Sequence, residues 1–368
     1  MTRSSKIGGT VIVLLALVLG ALASVLSHDA APAAERPLPS DAIRMKAIVY
    51  RQYGSPDVLE FKDIQKPTPM DNELLVKVRA AAANPLDWHY LRGMPYLVRM
   101  LRGLGRPKFT RLGVDFAGTV EAVGRKVRRF KVGDEIFGTA DGAFAEYVTS
   151  TEEGLALKPS NMSFEQAASV PVAAITALQG LRDKGQIRPG QKVLINGASG
   201  GVGTFAVQIA KALGAEVTGV CSTRNLQLVR TIGADHVVDY TQEDFTQGAQ
   251  RYDLILDTVG NHSLQENRRV LNPRGVLVIV GGPNNGRWIG PLITPIKAWL
   301  ISPFVSQRLL MVLADANRTG DLDSLRDLMQ SGKLTPVIDR QYTLQEVPAA
   351  IRYLETGHAR GKVVISLE

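Results

Sequence analysis

The stretch INGASGGVGTFAVQIAKALGAEVTGVC, residues 195–221, decides the fold. An apolar strand is predicted over 192–196, a glycine-rich turn follows it, and a helix is predicted over 204–213, where Gly214 stops it. The next apolar segment, EVTGVC, is a second strand candidate. A strand, a turn, a helix and a strand in direct succession indicate a parallel sheet with helical crossovers.

The turn itself predicts a dinucleotide-binding site. Gly200 lets the backbone approach a pyrophosphate, Gly203 permits tight packing of the helix on the strand, and the free amides at the helix start attract phosphate. Ala198 lies where the first glycine of such a turn usually lies. A glycine-rich turn alone often serves only close packing, but here the whole strand, turn, helix and strand context is present. Binding of a dinucleotide is therefore the favoured interpretation.

The second strand ends without the acidic residue that would bind a ribose 2′-hydroxyl and repel a 2′-phosphate. Cys221 replaces that acid, and it is followed by the hydroxyls of Ser222 and Thr223 and by Arg224, whose guanidinium suits bidentate phosphate contact. The sequence therefore predicts NADPH rather than NADH as the coenzyme. The alternative is that Arg224 is simply a polar residue at the start of the next helix, predicted over 226–232.

The rest of the chain shows two patterns of predicted secondary structure. Downstream of Met45, short alternating strands separated by Gly, Pro and Asp predict a β-rich barrel or sandwich. Ser163 and Gln166 then resemble a capping box at a helix start. After it come short apolar segments typical of strands buried in a parallel sheet, namely VLIN, EVTGVC, HVVDY, YDLILDTVG and GVLVIVGG. The sequence therefore predicts an α/β protein with two domains.

Composition and charge limit the class of protein. The chain has 368 residues, 45% of them hydrophobic, which is typical of a globular α/β enzyme. Its single cysteine excludes a disulfide framework and a multi-cysteine zinc or iron–sulfur site. The net charge is +8, but the basic residues are scattered among acids, so a nucleic-acid partner is not indicated. One basic cluster is expected to be a solvated loop or short helix, with a membrane-facing or anion-steering rim as the alternative: Arg92, Arg99, Arg102, Arg106, Lys108 and Arg111.

Residues 1–44 look like a separate signal or anchor module with a linker. Arg3 and Lys6 precede an uncharged run over 7–27, and an Ala- and Pro-rich segment follows. An uncleaved membrane anchor is favoured, and the charge bias would place the body of the protein outside the cytoplasm, although the coenzyme is normally supplied inside cells. Two alternatives stay open, which are export after cleavage near 21–23 and a cytoplasmic protein translated from Met45.

A series of motifs connects the chain to a known family. In chain order they are RQYGSPDVLE, AAANPLDWHYLRG, GVDFAGTVEAVG, GDEIFG, GAFAEYV, ITALQGL, GASGGVG, GADHVVDY and GHARGKVVI. From about Met45 to Glu368 the chain resembles the medium-chain dehydrogenase/reductase superfamily, in its zinc-free quinone oxidoreductase branch. The resemblance implies a GroES-like β-rich catalytic domain over 45–167, a Rossmann-type doubly wound NADPH-binding domain over 168–312, and a return to the catalytic domain over 313–368.

The resemblance also bears on metal and substrate. Zinc-dependent members carry a catalytic cysteine near Asn84 and a histidine–glutamate pair near Val114 and Asp115, and neither is present here. No metal is therefore expected. Without a Lewis acid, the hydride acceptor should already be electrophilic, such as a quinone or an α,β-unsaturated carbonyl. The alternative is a non-catalytic, membrane-tethered NADPH-binding sensor or scaffold.

The resemblance implies the site residues. Asn84 and Asp87 match the Asn-x-x-Asp of the family's substrate cleft, with Asp87 expected to order the loop, and Thr176 is expected near the nicotinamide. His89 lies where quinone reductases often have a tyrosine, so it is either the proton donor or a surface histidine. With Gly200, Gly203 and Arg224 added from the residues, the predicted coenzyme contacts are Ser199, Gly200, Gly201, Val202, Gly203, Ser222, Arg224, Tyr240, Val280, Gly282, His358, Ala359 and Arg360.

The apolar segment 288–310 is broken by three prolines and is too interrupted for an ordinary spanning helix. Packing in the core or a contact in a homodimer is the expected explanation. A mouth for a lipophilic substrate is the alternative.

Overall fold

A computed structural model describes residues 20–34, 37–282, 286–288 and 290–367. Its strands form one antiparallel pair, β1 (Arg44–Val49) with β2 (Glu60–Gln65), and two larger sheets. The first large sheet has seven strands in the order β14-β15-β3-β4-β5-β7, with β6 also paired to β3. These strands are β3 (Glu73–Ala83), β4 (Asp115–Val123), β5 (Glu135–Thr139), β6 (Tyr147–Thr151), β7 (Leu155–Leu157), β14 (Ile338–Thr343) and β15 (Lys362–Ser366).

The second large sheet is parallel throughout and has the order β10-β9-β8-β11-β12-β13. Counted from its own first strand this is the 3-2-1-4-5-6 order of a doubly wound dinucleotide fold, whose crevice opens where the strand order reverses, between β8 and β11. Its strands are β8 (Lys192–Asn196), β9 (Glu216–Cys221), β10 (His236–Asp239), β11 (Tyr252–Asp257), β12 (Leu271–Ile279) and β13 (Arg308–Met311). The predicted α/β fold class is confirmed. The predicted domain limits stay a prediction.

Eleven helices accompany the strands in the described part of the chain. They are α1 (20–27), α2 (Pro85–Arg92), α3 (Val98–Arg102), α4 (Phe164–Ala168), α5 (Pro171–Leu178), α6 (Gly201–Ala212), α7 (Leu226–Thr231), α8 (Leu264–Arg269), α9 (Ile293–Ile301), α10 (Asp321–Gln330) and α11 (Val347–Glu355). The capping box before α4 is confirmed, because Gln166 N donates to Ser163 Oγ (3.2 Å) and Ser163 N donates to Gln166 Oε1 (3.0 Å).

The opening stretch folds almost as predicted. β8 has the expected limits, and α6 begins three residues earlier than expected, because the extended backbone of Gly200 (φ −84°, ψ 179°) makes it the N-cap. Gly214 ends the helix at a φ of +81°, which favours glycine. Gly203 packs so closely that a Cβ would lie 2.0 Å from the Gly197 carbonyl oxygen.

The end of β3 is buried and leads to Asn84, a predicted site residue. Residues 80–83 of β3 are four alanines that are almost fully buried, and they pair with β4 on one side and β15 on the other. Their small side chains let α4 pack on β3. Asn84, the residue that follows the strand, therefore lies in the interior rather than at the surface.

Two surface expectations are wrong in part. Core packing does not explain the most apolar part of 288–310, because Trp299 is 74% exposed and Phe304 is 86% exposed, whereas Ala298 is buried. In the basic cluster, Arg99 and Arg102 are buried rather than solvated. Arg99 lies between the rings of Tyr53 and Tyr96, 4.6 and 4.7 Å from their centroids, so aromatic faces and backbone carbonyls replace its water.

The predicted anchor lies largely outside the described residues, which begin at Gly20. No described helix combines the length and the apolar character needed to cross a bilayer.

Candidate functional site

The start of α6 has the properties of an anion-binding site. The first amides of an α-helix have no partner within the helix, and no side chain caps those of α6. A methyl group at Gly200 would have only one neighbour within 4 Å, the Gly197 carbonyl oxygen at 3.4 Å, so the backbone here is open to close approach. Gly200, Gly201, Val202 and Gly203 thus provide a helix N-terminus that fits a pyrophosphate.

The turn is joined to the end of β9 by a residue that the sequence analysis did not select. Asn225 Nδ2 donates to Ser199 Oγ (3.0 Å) and to Ser222 Oγ (3.2 Å), which brings two predicted coenzyme contacts together. Arg224 Nη2 donates to the carbonyl oxygen of His358 (3.2 Å), so the guanidinium lies beside the returning carboxyl-terminal segment. Asn225 precedes an apolar helix, which is a sequence signal for an N-cap but not for this bridge.

The end of β10 lies next to the end of β9 and carries a carboxylate, that of Asp239, which already accepts hydrogen bonds from neighbouring residues. Asp239 accepts from Thr223 Oγ1 (2.5 Å), Thr241 N (3.0 Å) and Thr241 Oγ1 (2.8 Å). These donors, Thr223 first, lower the pKa of Asp239. Tyr240 follows it, donates its amide to Cys221 O (3.1 Å) and has an exposed side chain. The end of β9 itself has no carboxylate, as the sequence indicated.

Five more of the predicted coenzyme contacts lie on two segments. Val280 follows β12 and donates its amide to Asp257 O (2.9 Å). Gly282 follows two residues later and is partly buried. His358 Nδ1 lies 2.5 Å from Thr356 O, and Arg360 N donates to an Asp339 carboxylate oxygen (2.9 Å). Ala359 packs against the hydrophobic core of the first large sheet.

A buried polar network lies where β3, β4 and β15 meet. Lys362 Nζ is 2.5 Å from Asn84 Oδ1 and 3.4 Å from Asp115 Oδ2, and Asn84 Nδ2 donates to the same Asp115 oxygen (2.9 Å). All three side chains are buried. Burial raises the pKa of Asp115 and lowers that of Lys362, while their mutual attraction opposes both shifts.

Asp87 lies directly beside this network. Its Oδ2 accepts from Asn84 N (2.7 Å), which orders the start of α2 as expected, and its Oδ1 has no hydrogen-bond partner among the described residues. The side chain is fully buried. Burial, with a smaller contribution from the Asp115 charge, raises the pKa of Asp87 to about 7. The group therefore retains a proton close to neutral pH.

The network also reaches the predicted nicotinamide residue. Asp115 Oδ1 accepts from Val172 N (3.1 Å) in the first turn of α5, and the Val172 carbonyl accepts from Thr176 Oγ1 (2.7 Å). Thr176 is therefore fixed on a helix whose N-terminus is held by Asp115.

His89 is half-buried rather than on the surface. Its Nδ1 lies 2.7 Å from the Met94 carbonyl oxygen, and its ring stacks on Trp88. A carbonyl can only accept, so Nδ1 carries the proton and is engaged. Burial lowers the pKa of His89, which favours the neutral ring. Both features argue against His89 as the acid, and its role stays a prediction.

Lys362 and Asp115 are functional candidates that the sequence analysis passed over. Each is a charged residue within or at the edge of an apolar run, GKVVI and GVDFAG. A charge in a buried strand requires a partner, which is the signal that could have selected both. In the described residues, no group of three or more His, Cys, Asp and Glu side chains is placed to hold a metal ion, and metal independence stays a prediction.

Comparison with known proteins places the chain in a family. A model of the alcohol dehydrogenase GroES-like domain matches residues 70–160, and a model of zinc-binding dehydrogenases matches residues 232–365. The NADPH-dependent alkenal/one oxidoreductase of Arabidopsis thaliana chloroplasts is 33% identical over 87% of this chain and 79% of its own length. The chain belongs to the medium-chain dehydrogenase/reductase superfamily. The mitochondrial NAD(P)H oxidoreductase RTN4IP1 of Mus musculus is 32% identical over 88% of this chain and 89% of its own length.

The solved structures agree with this superfamily assignment. The quinone oxidoreductase from Coxiella burnetii has a TM-score of 0.78 and 31% sequence identity, and the match covers 89% of this chain and 100% of that one. The resemblance to the quinone oxidoreductase branch of the medium-chain superfamily is confirmed.

Proposed function

We propose that this protein is an NADPH-dependent, zinc-independent reductase that transfers a hydride to quinones or to activated α,β-unsaturated carbonyls. The observation that carries the proposal is that one side chain, Lys362, lies between the predicted coenzyme site and the predicted substrate cleft. The stem of Lys362 lies beside the coenzyme turn, since a Cβ built at Gly201 would be 3.4 Å from its Cδ, and its ammonium contacts Asn84 of the predicted substrate cleft. The names of the alkenal/one and quinone oxidoreductases among the relatives support this substrate class.

The choice of NADPH is supported by the end of β9. Ser222 and Arg224 offer donors there, and the nearest carboxylate, Asp239, is taken up by two threonines. A 2′-phosphate would therefore meet a guanidinium and hydroxyls rather than a free acid.

The chain's own residues would orient the reactants and hold the proton. NADPH, when bound, supplies the hydride, and a proton completes the reduction of an enone to a saturated carbonyl or of a quinone to a quinol. Asp87 is the candidate proton store, because burial keeps its carboxyl protonated near neutral pH and leaves Oδ1 without a partner in the described residues. Asn84 and Thr176 are held on either side of Asp115, which fixes their positions.

The test is NADPH oxidation by the purified protein with a panel of quinones and enals, before and after exhaustive chelation. We expect turnover that survives chelation. Turnover lost on chelation and restored by zinc contradicts the metal-free proposal. Tight NADPH binding without oxidation by any acceptor favours the rival, a sensor or scaffold.

We also infer that the N-terminal segment tethers the enzyme to a membrane. The support is the uncharged run 7–27 together with the way that its end is held. Arg99, 2% exposed, donates to the carbonyls of Leu26 and His28 (3.1 Å each) and pairs with Asp29 (2.9 Å). Leu26 is itself buried. The tether would therefore leave the body at a fixed point beside α3, and the side of the membrane stays open.

Self-association is proposed through the surface formed by α9 and β13. Trp299 and Phe304 are large exposed apolar side chains on this surface. Among the described residues, β13 is the last strand of the parallel sheet and pairs with β12 alone. A second copy placed on this edge would cover both features, which an isolated chain leaves in water.

A further inference from the structure

We propose that Lys362 is a positioning residue that couples the coenzyme turn to the substrate cleft. The inference rests on the proposed function, because it concerns how the two predicted sites act together. It assigns to Lys362 no contact with the reacting atoms. Its effect passes through Asn84 and Asp115.

The backbone of Lys362 is fixed before its side chain begins. Its amide donates to Val337 O (2.8 Å). The preceding Gly361 has a φ of +100°, and a Cβ there would lie 2.3 Å from the same carbonyl oxygen, so no other residue type fits. Lys362 therefore enters the interior from a turn that has little freedom to move.

The stem of Lys362 passes over the glycine turn. A methyl group built at Gly201 would lie in van der Waals contact with Lys362 Cδ (3.4 Å) and Gly361 O (3.5 Å). Gly201 is the first residue of α6, where the predicted pyrophosphate would bind. The lysine stem therefore lies next to the turn over which the coenzyme is predicted to bind.

The ammonium sets the orientation of the Asn84 side chain. An ammonium can only donate, so the atom 2.5 Å from Nζ is the amide oxygen, and the amide nitrogen then faces Asp115 Oδ2 at 2.9 Å. Asp115 fixes the same orientation from the other side, because its carboxylate accepts from Nδ2. Lys362 and Asp115 together therefore hold one of the two arrangements of a residue in the predicted cleft.

Asp115 extends the same coupling to a third element. One of its oxygens faces Lys362 and Asn84, and the other accepts from Val172 N at the start of α5. The starts of α2 and α5 are therefore held to β15 through one buried carboxylate. A buried ammonium left without its acid costs several kcal/mol, so the pair persists only as a unit.

The charged and titratable groups around Asp87 come from several elements. Burial raises its pKa, the hydrogen bond from Asn84 N lowers it, Asp115 on β4 raises it further and Lys362 on β15 lowers it. Burial raises the pKa of Tyr50 and of Tyr90, Arg102 opposes this rise, and Asp87 adds a smaller contribution to it. Because Asp87 must be protonated to serve as the proton store, removing Lys362 alone and removing Asp115 alone should shift the alkaline limb of the activity profile in opposite directions, up for Lys362→Met and down for Asp115→Asn.

The decisive variant is the neutral pair Lys362→Met with Asp115→Asn, because it leaves no buried charge unpaired and should fold. The matched control is Lys158→Met with Glu135→Gln, which removes another lysine that is mostly buried and its ion pair (3.0 Å), away from the site. We expect kcat to fall about a hundredfold in the first pair, as for a misplaced reactant, with NADPH affinity changed less than about tenfold. The control pair should change neither.

Hydrogen exchange with and without NADPH tests the coupling without turnover. In the wild-type protein NADPH should slow exchange both at 198–212 and at 84–92. In the neutral pair, protection should remain at 198–212 and disappear at 84–92. Protection that persists at 84–92, or a kcat equal to that of the control, overturns the inference. Absence of any protection at 198–212 in the wild type would instead count against the proposed coenzyme function.

Discussion

The guanidinium of Arg224 is predicted to set the coenzyme preference at the end of β9. It is exposed, its only described hydrogen bond is to the His358 carbonyl (3.2 Å), and no free acid is beside it to repel a 2′-phosphate. We expect NADPH to bind at least tenfold more tightly than NADH, about 1.4 kcal/mol. Arg224→Ala should remove most of this difference while leaving NADH affinity nearly unchanged, as measured by fluorescence titration.

Arg251→Ala is the control for that measurement. Arg251 is also exposed but lies just before the start of β11, at the opposite end of the parallel sheet from the predicted phosphate. It should leave both affinities unchanged. Equal wild-type affinities for the two coenzymes would contradict the assignment.

Asp87 makes the stability of the fold depend on pH. An unfolded aspartate ionises near pH 3.9, whereas burial raises the pKa of Asp87 to about 7 in the folded protein. Between these values the folded state binds the extra proton, so its contribution to stability falls as pH rises from about 4 to about 7 and is constant above. Asp87→Asn has no carboxyl to ionise, so it does not lose this stability as pH rises. Its free energy of unfolding relative to wild type should rise across that window, by at most about 4 kcal/mol.

Denaturant unfolding of both proteins at several pH values measures the difference. A difference that stays flat from pH 4 to 7 would show that the buried carboxyl ionises normally.

The two glycines at the start of α6 have separable roles. A Cβ at Gly203 would lie 2.0 Å from Gly197 O, so Gly203→Ala requires backbone movement and should destabilise the protein by at least about 1–3 kcal/mol. A Cβ at Gly200 meets only one atom, at 3.4 Å, so Gly200→Ala should fold normally. Its methyl group would nevertheless lie where a pyrophosphate approaches, so NADPH affinity should fall at least about tenfold.

Thermal unfolding and NADPH titration of both variants check this separation. Unchanged NADPH affinity in a well-folded Gly200→Ala protein would mean that the coenzyme does not lie over this turn.

Elements with a local signal could be predicted from the sequence, and long-range contacts could not. β8, α6 and the box at Ser163 follow from periodicity, glycine positions and capping, all within a few residues. The Lys362 and Asn84 contact joins residues 278 positions apart, and no local pattern encodes it. For segment 288–310 the sequence left core packing and a homodimer contact open for a related reason. Apolar character predicts burial, but whether that burial occurs inside one chain or between two depends on the surrounding surface.

The same contrast holds for the basic cluster. Charge and interleaved apolar residues predicted a solvated segment, yet Arg99 is buried because Tyr53, Tyr96 and the carbonyls of 26–28 surround it. Those partners come from three separate parts of the chain. The sequence therefore shows a cluster of basic residues, but the burial of Arg99 depends on distant partners that its local spacing does not reveal.

For the whole molecule, the exposed apolar surface predicts the oligomeric state. Replacing Trp299 and Phe304 by serine should shift a dimer to a monomer in sedimentation velocity, because these side chains would lose the apolar area that they bury on association. Met70→Ser, at an exposed residue before β3 of the other large sheet, serves as the control for a general change in solubility. A wild-type protein that is monomeric at all concentrations tested would sink the proposed self-association.

The attachment at Arg99 links the N-terminal run to the body of the enzyme and leads to the last prediction. If the run over 7–27 anchors the protein, the full chain should sediment with membranes and resist high-salt extraction, since salt screens a basic patch but not apolar burial. Protein beginning at Met45 should be soluble with the same NADPH affinity. Arg99→Met in the full chain should leave sedimentation unchanged but make the linker after residue 27 more accessible to protease, because the carbonyls of Leu26 and His28 lose their donor. Release of the intact chain by salt alone, or a mature protein that begins near Ser24, would show that the run is not an anchor.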